Sequence, residues 1–186
     1  MTLFIGILFG FALGLVAVML RRSLIEFPGQ KPEDYVDGSL TFDMKTHLSG
    51  KLVCEGAIFG PLGRMTSTFV ADFDVVWTGN VGVMKEHFRY DDGSTQDREW
   101  TITLGDGDRF TAVAPDVPGV GKGTQSGATM QMLYAIELPE ESGGHVLRAT
   151  DWMYLTPDGT IVNRSQFRKF GFRAAELVAT IRPVAA

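Results

Sequence analysis

From Met65 to Trp77 the sequence alternates without a break. Met65, Ser67, Phe69, Ala71, Phe73, Val75 and Trp77 hold one set of positions, and Arg64, Thr66, Thr68, Val70, Asp72, Asp74 and Val76 hold the other. Successive side chains of an extended chain point to opposite faces, so a period of two over this length predicts a long strand with one face buried. Gly79-Asn80 turns it, and further extended segments follow at short spacing: Val81 to Tyr90, Gln96 to Leu104 and Arg109 to Ala114, parted by Asp91-Asp92-Gly93 and Gly105-Asp106-Gly107. Lys51 to Phe59 precedes them and ends at Gly60-Pro61-Leu62-Gly63. Strands in sequence with short turns describe an up-and-down antiparallel meander. Open sheet edges invite aggregation, so a meander of this length is expected to close into a small barrel. The fold class expected is all-β.

The second half continues the pattern. Thr129 to Leu138 places Met130, Met132, Tyr134, Ile136 and Leu138 on one face, which suits an ordinary core and an adaptable apolar cavity alike. Glu140 to Gly144 reads as a turn. His145 to Leu155 and Thr160 to Phe170 form a hairpin about Pro157-Asp158-Gly159, whose residues tolerate the positive φ of a tight turn. Phe172 to Arg182 is ambiguous: Ala174, Ala175 and Glu176 favour a helix, whereas Leu177, Ala179 and Ile181 fit a closing strand. Pro118 to Gly127 is glycine-rich. A phosphate-binding loop would need Gly five places before the Gly-Lys pair and Ser or Thr after it, but position 116 is Asp and position 123 is Gly. A flexible or bulged strand at the barrel rim is expected there.

The N-terminus is of another kind. Thr2 to Leu20 carries no charge and, as a helix rising about 1.5 Å per residue, nearly matches a hydrocarbon core of roughly 30 Å. The basic pair Arg21-Arg22 follows the apolar run instead of preceding it, and no Ala-x-Ala site comes after, so the segment reads as a retained transmembrane helix and not a cleaved signal. Gly6, Gly10 and Gly14 fall four apart, a stripe through which two such helices can pack weakly. Residues 21–34, with Pro28, Gly29 and Pro32, read as a linker, and residues 35–186 as the barrel domain. Membrane lipids are the expected neighbours of the helix.

At 186 residues the chain suits one domain with an anchor. A net charge of −5 argues against nucleic-acid binding, which calls for a basic surface. The single cysteine, Cys54, permits neither an intrachain disulfide nor a cysteine metal site. His47, His87 and His145 lie on separate segments without the pairing of common zinc motifs, so no metal and no cofactor is expected. Asp91-Asp92 and Asp106/Asp108 sit at glycine turns, where Asp serves the local backbone, and no Gly-x-Ser-x-Gly elbow occurs; no catalytic residue is assigned.

The informative residues are polar ones on apolar faces. Arg98 shares a face with Trp100, Ile102 and Leu104, and Asp151 with Leu147, Ala149, Met153 and Leu155. Between Thr160 and Phe170 neither face is apolar, since Asn163 and Ser165 oppose Arg164 and Gln166. Unpaired burial of such groups is costly, so a buried network of Asp151 with Arg98 or Arg164 is expected. It either plugs one end of the barrel as a salt bridge or anchors the head of a ligand in an apolar cavity.

Tyr90-Asp91-Asp92-Gly93 with Arg98 and Trp100, then Asp151-Trp152-Met153-Tyr154-Leu155, then Asn163-Arg164 and Lys169-Phe170-Gly171, resemble a proteobacterial family, domain-of-unknown-function family 3833, many of whose members are read as envelope lipoproteins. The resemblance covers about Asp34 to Arg182. It implies a lipocalin-like barrel, makes the last segment a strand, and supplies no reaction or catalytic residue. The chain departs from the family in lacking a lipid-attachment cysteine, and the Gly-x-Trp signature of lipocalins is absent. The resemblance points to the exported side of a bacterial inner (plasma) membrane, whereas Arg21 and Arg22 place the domain in the cytoplasm; the side stays open. The function that follows is a membrane-anchored lipocalin-like protein binding a small hydrophobic or amphipathic, lipid-like molecule. The ligand-binding or buried polar residues are then Arg98, Trp100, Asp151, Trp152, Tyr154, Asn163, Arg164 and Lys169. The alternative is a non-enzymatic envelope module that docks other proteins; an enzyme would need a carboxylate of perturbed pKa in an open cavity.

Overall fold

In the computed structural model, which describes residues 2–24, 26–140 and 143–184, the alternating segments are all strands. They are β1 (Gly50–Phe59), β2 (Met65–Thr78), β3 (Val81–Tyr90), β4 (Thr95–Leu104), β5 (Arg109–Val113), β6 (Gly121–Ser126), β7 (Thr129–Glu137), β8 (Val146–Leu155), β9 (Ile161–Lys169) and β10 (Phe172–Pro183). Each pairs antiparallel with the one before it, and β10 pairs back onto β1, with Cys54 opposite Ile181 and Ala57 opposite Val178. The expected up-and-down meander therefore closes, which removes both edges. The ambiguous last segment is the strand that closes it. Along β2, Phe69, Ala71, Phe73 and Val75 are buried while Val70, Asp72, Asp74 and Val76 stand outside. The core of the molecule is the inside of this barrel.

β6 is more regular than its glycines suggest. It pairs with β5 and β7 without a bulge. Its Gly123 is needed because the Phe110 ring crosses it: a Cβ there would lie 2.0 Å from Phe110 Cζ.

The two ends of the barrel differ. One end, where β1 begins, is floored by Phe42, Met44 and Leu48, all buried. Met44 opens a short helix, α2 (Met44–His47), whose Thr46 N–H donates to Asp43 Oδ1 at 2.9 Å. The Trp77 indole N–H donates to the Leu48 carbonyl at 2.8 Å and pins this floor. The other end is crossed by the β5–β6 loop, where Val117 is buried and the Glu137 N–H donates to the Asp116 carbonyl at 2.8 Å.

The segment expected as a linker is structured. It forms two 3-10 turns, Phe27–Gly29 and Pro32–Tyr35, and straps the outer wall. The hydroxyls of Tyr35 and Tyr154 both donate to Gln30 Oε1, at 2.5 and 2.7 Å, and the Tyr35 ring packs on Trp152 at 5.3 Å. Gly127 at φ +50 leaves room for the Tyr35 carbonyl, which would sit 1.8 Å from a Cβ there.

The N-terminal helix α1 runs Thr2–Leu24, beyond the apolar run expected at 2–20 and through the basic pair. The transmembrane reading is corrected: among the described residues, no helix is long and apolar enough to cross a membrane. Phe4, Phe9, Phe11 and Leu15 of this helix are exposed, and open space lies beside Gly6, Gly10 and Gly14. The Arg22 side chain, Ile25 of the linker, Glu141 and Ser142 of the turn expected at 140–144, and residues 185–186 of the domain lie outside the described residues.

Candidate functional site

Cross-strand register brings a set of ionisable side chains together inside the barrel. Glu86 on β3 stands opposite Arg98 on β4, between the pairs made by Met84 with Trp100 and Phe88 with Gln96. Across the interior, Met132 on β7 is opposite Asp151 on β8, Asp151 is opposite Ser165 on β9, and Met153 is opposite Asn163. Directly paired residues share a face, so Glu86, Arg98, Tyr134, Asp151, Asn163 and Ser165 all line one internal cavity of about 100 Å³. The apolar part of its wall includes Met84, Met130, Met132, Met153, Phe73 and Trp100.

Arg98 is the hub. Its Nε donates to Asp116 Oδ1 at 3.0 Å, and its guanidinium lies over the Trp100 ring at 4.3 Å and 5.9 Å from the Tyr134 ring. Its Nη2 is buried without a hydrogen-bond partner, and so is Asp151 Oδ1. An open groove of about 870 Å³, lined by the outward residues Asp72, Lys85 and His87, reaches Glu86, Arg98 and Asp116 from outside. Deeper in, Asn163 Nδ2 donates to the Trp152 carbonyl at 3.1 Å and Ser165 Oγ to Asn163 Oδ1 at 3.5 Å.

Burial sets the protonation. It drives the Glu86 carboxyl up to about 8; Arg98 pulls it down, while Asp151 and Asp116 push it further up. Burial also raises Asp151, while the neighbouring Ser165 and Tyr134 hydroxyls and the charge of Arg98 pull it down. Tyr134 is raised well above its ordinary range, first by burial and then by the neighbouring Asp151. The Cys54 thiol is pushed up to about 12 by burial and by Glu86 and Glu55, which makes it inert as a nucleophile at neutral pH. Among the described residues no group of three metal-ligating side chains stands close enough to hold an ion.

Of the residues singled out from sequence, Arg98, Trp100, Asp151 and Asn163 face this cavity. Trp152, Tyr154 and Arg164 do not. Trp152 and Tyr154 lie on the outer wall under the strap, and the Trp152 indole Nε1 is buried there without a partner. Arg164 points outward and its Nε donates to Glu176 Oε1 at 2.6 Å, so the expected pairing of Asp151 with Arg164 is corrected, with Arg98 the cation that Asp151 feels. Lys169 ends β9, its Nζ 5.6 Å from the Phe170 ring. Glu86, Asp116, Tyr134 and Ser165 were not assigned to the site from sequence. Glu86 carried a signal, since it falls between Met84 and Phe88 in an alternating run; Asp116 carried none, because a loop brings it to Arg98.

Comparisons with known proteins agree with this architecture. The family model described as "Protein of unknown function (DUF3833)" matches residues 21–183. Among solved structures, the S-type phycobiliprotein lyase CPES from Guillardia theta is similar, with a TM-score of 0.55 and 9% identity, covering 76% of this chain and 90% of that chain. At that identity the likeness carries the fold, a lipocalin-like barrel, and nothing finer. No curated protein matches the chain.

Proposed function

We propose that this chain, which belongs to the family described as "Protein of unknown function (DUF3833)", holds a small amphipathic molecule inside its barrel. The observation that carries the reading is the pair of unmet polar atoms at the cavity, Arg98 Nη2 and Asp151 Oδ1. Leaving a buried donor or acceptor unpaired costs about 1–3 kcal/mol each. A ligand head that both accepts and donates, such as a hydroxyl or amide, removes both deficits at once. The aromatic and methionine wall takes the apolar remainder, and methionine side chains re-pack at low cost.

Size shapes the reading. Ligand pockets usually measure about 300–1,000 Å³, and this cavity of about 100 Å³ admits a head group or a short chain as it stands. A longer, lipid-like tail requires Met84, Met130, Met132 and Met153 to move aside. The small volume is also what favours a second reading, a filled barrel that serves as a docking module with water at the polar atoms. Native mass spectrometry of the full chain, released from detergent, separates the two. Ligand binding gives a retained mass that Arg98→Gln and Asp151→Asn both lose; a bare chain mass, before and after incubation with short-chain fatty alcohols and amides, would leave only the filled barrel.

A further inference from the structure

A second polar assembly lies on the outer wall, at the barrel end where β9 turns into β10. Arg164, Arg168 and Arg173 line one open groove of about 660 Å³ with Phe27, Pro61 and Phe172. Behind it Glu176 is buried and accepts from Arg164 Nε at 2.6 Å and from Arg173 Nη1 at 2.7 Å. Arg168 donates to Gln166 Oε1 at 2.7 Å and to the Gly171 carbonyl at 3.0 Å. Glu26, at the edge of the groove, pairs with Arg21 at 3.8 Å. Among the described residues, Arg164 and Arg173 share the single carboxylate of Glu176, a local excess of positive charge on a chain whose net charge is −5. Those hydrogen bonds hold the guanidiniums in place before any ligand arrives.

Apolar side chains crowd the same end. Phe170 sits at the tip of the β9–β10 turn at φ 52 and is 89% exposed. The left-handed region is unfavourable for a bulky residue, and Gly or Asn would fill it without that cost. The ring is held there in water, with Lys169 Nζ 5.6 Å away. Phe172 is 67% exposed, and Leu62, in the β1–β2 turn next to Pro61, is 84% exposed. The strap that follows the exposed apolar helix α1 enters at this groove, through Glu26 and Phe27. Apolar tips beside fixed cations match a lipid surface, where acyl chains and anionic headgroups lie side by side.

We infer that this end of the barrel rests on an anionic lipid surface, with Phe170, Phe172 and Leu62 entering the acyl layer and the groove of Arg164, Arg168 and Arg173 receiving a headgroup phosphate. The test uses the full chain in neutral detergent, offered phosphatidylglycerol and phosphatidylcholine in equal amount and read by native mass spectrometry. The wild type retains phosphatidylglycerol in preference. The double variant Arg168→Gln/Arg173→Gln lowers that preference roughly thirtyfold, as the loss of two near-surface cations implies. Arg168→Lys/Arg173→Lys keeps most of it. Phe170→Asn, which suits the turn and so folds, lowers retention of both lipids. Equal retention of the two lipids by the wild type, or an unchanged preference in the folded Gln double variant, overturns the proposal. So does Phe170→Asn binding like the wild type, which decides the matter if the Gln variant does not fold. Loss of phosphatidylglycerol to millimolar inorganic phosphate would make the groove a free-anion site instead and equally overturn it.

Discussion

Replacing Glu86 with Gln tests whether the barrel interior is organised by a carboxyl that keeps its proton. Burial raises Glu86 from its ordinary 4.5 to about 8. Between those values the folded chain holds a proton that the unfolded chain releases, so stability falls as pH rises across that window, at up to about 1.4 kcal/mol per pH unit. Below pH 4.5 both states are protonated and the group is neutral in effect. By pH 7 the accumulated loss is about 3 kcal/mol, and above pH 8 it levels off near 5 kcal/mol. Gln keeps the shape, cannot ionise, and leaves the Arg98–Asp116 ion pair in place. Glu86→Gln is therefore expected to match the wild type near pH 4.5 and to exceed it by about 3 kcal/mol at pH 7. Urea unfolding of the full chain, followed by the fluorescence of buried Trp100 and Trp152 at half-unit steps from pH 4.5 to 8.5, reads this directly. The difference between the two proteins must widen with pH. Parallel curves would show that Glu86 ionises in the fold as it does in water, and the reasoning about a neutral carboxyl beside Asp151 would be wrong.

Two further substitutions probe the frame around the site. Phe170→Asn is expected to raise stability by about 1 kcal/mol, because Asn accepts the left-handed backbone that Phe170 occupies at φ 52; a lower denaturation midpoint would mean that the ring contributes to folding after all. Gly123→Ala is expected to cost about 2–3 kcal/mol, since its Cβ would lie 2.0 Å from the Phe110 ring and 2.6 Å from the Gln131 carbonyl. An unchanged thermal midpoint would show that β6 can move away from β5 freely.

The parts of this fold legible in the sequence are those where a strand has one wet face and one dry one. β2 could be read residue by residue because Phe69, Ala71, Phe73 and Val75 alternate with polar or small outward residues. The same logic put Arg98 and Asp151 inside. It would have put Glu86 there too, as an acid standing among Met84 and Phe88. The floor was not legible: Phe42, Met44 and Leu48 are buried by a turn and a four-residue helix, too short to show a period. Nor was the strap, since Gln30 and Tyr35 find Tyr154 and Trp152 only after the barrel has closed. The face of Arg164 was undecidable for a different reason. Its partner Glu176 lies on β10, whose Ala-rich start reads as helix, so the pairing that fixes its direction rests on the strand the sequence left most ambiguous.

That ambiguity has a physical cause that bears on function. A barrel strand is normally polar on one face because only one face meets water. β9 is polar on both: Asn163 and Ser165 look into the cavity, while Arg164, Gln166 and Arg168 look out toward Glu176 and the groove. Each set is bonded within its own side, Asn163 to Ser165 inside and Arg164 to Glu176 outside, with the backbone of one strand between them. The wall thus separates Glu86, Asp151 and Arg98 in the interior from an outer groove where Arg164 and Arg173 share Glu176. A core strand could not tolerate such a sequence unless both faces had partners, and here both do. The lack of a dry face on β9, which blocks a simple reading of the sequence, is what two polar sites sharing one wall would require.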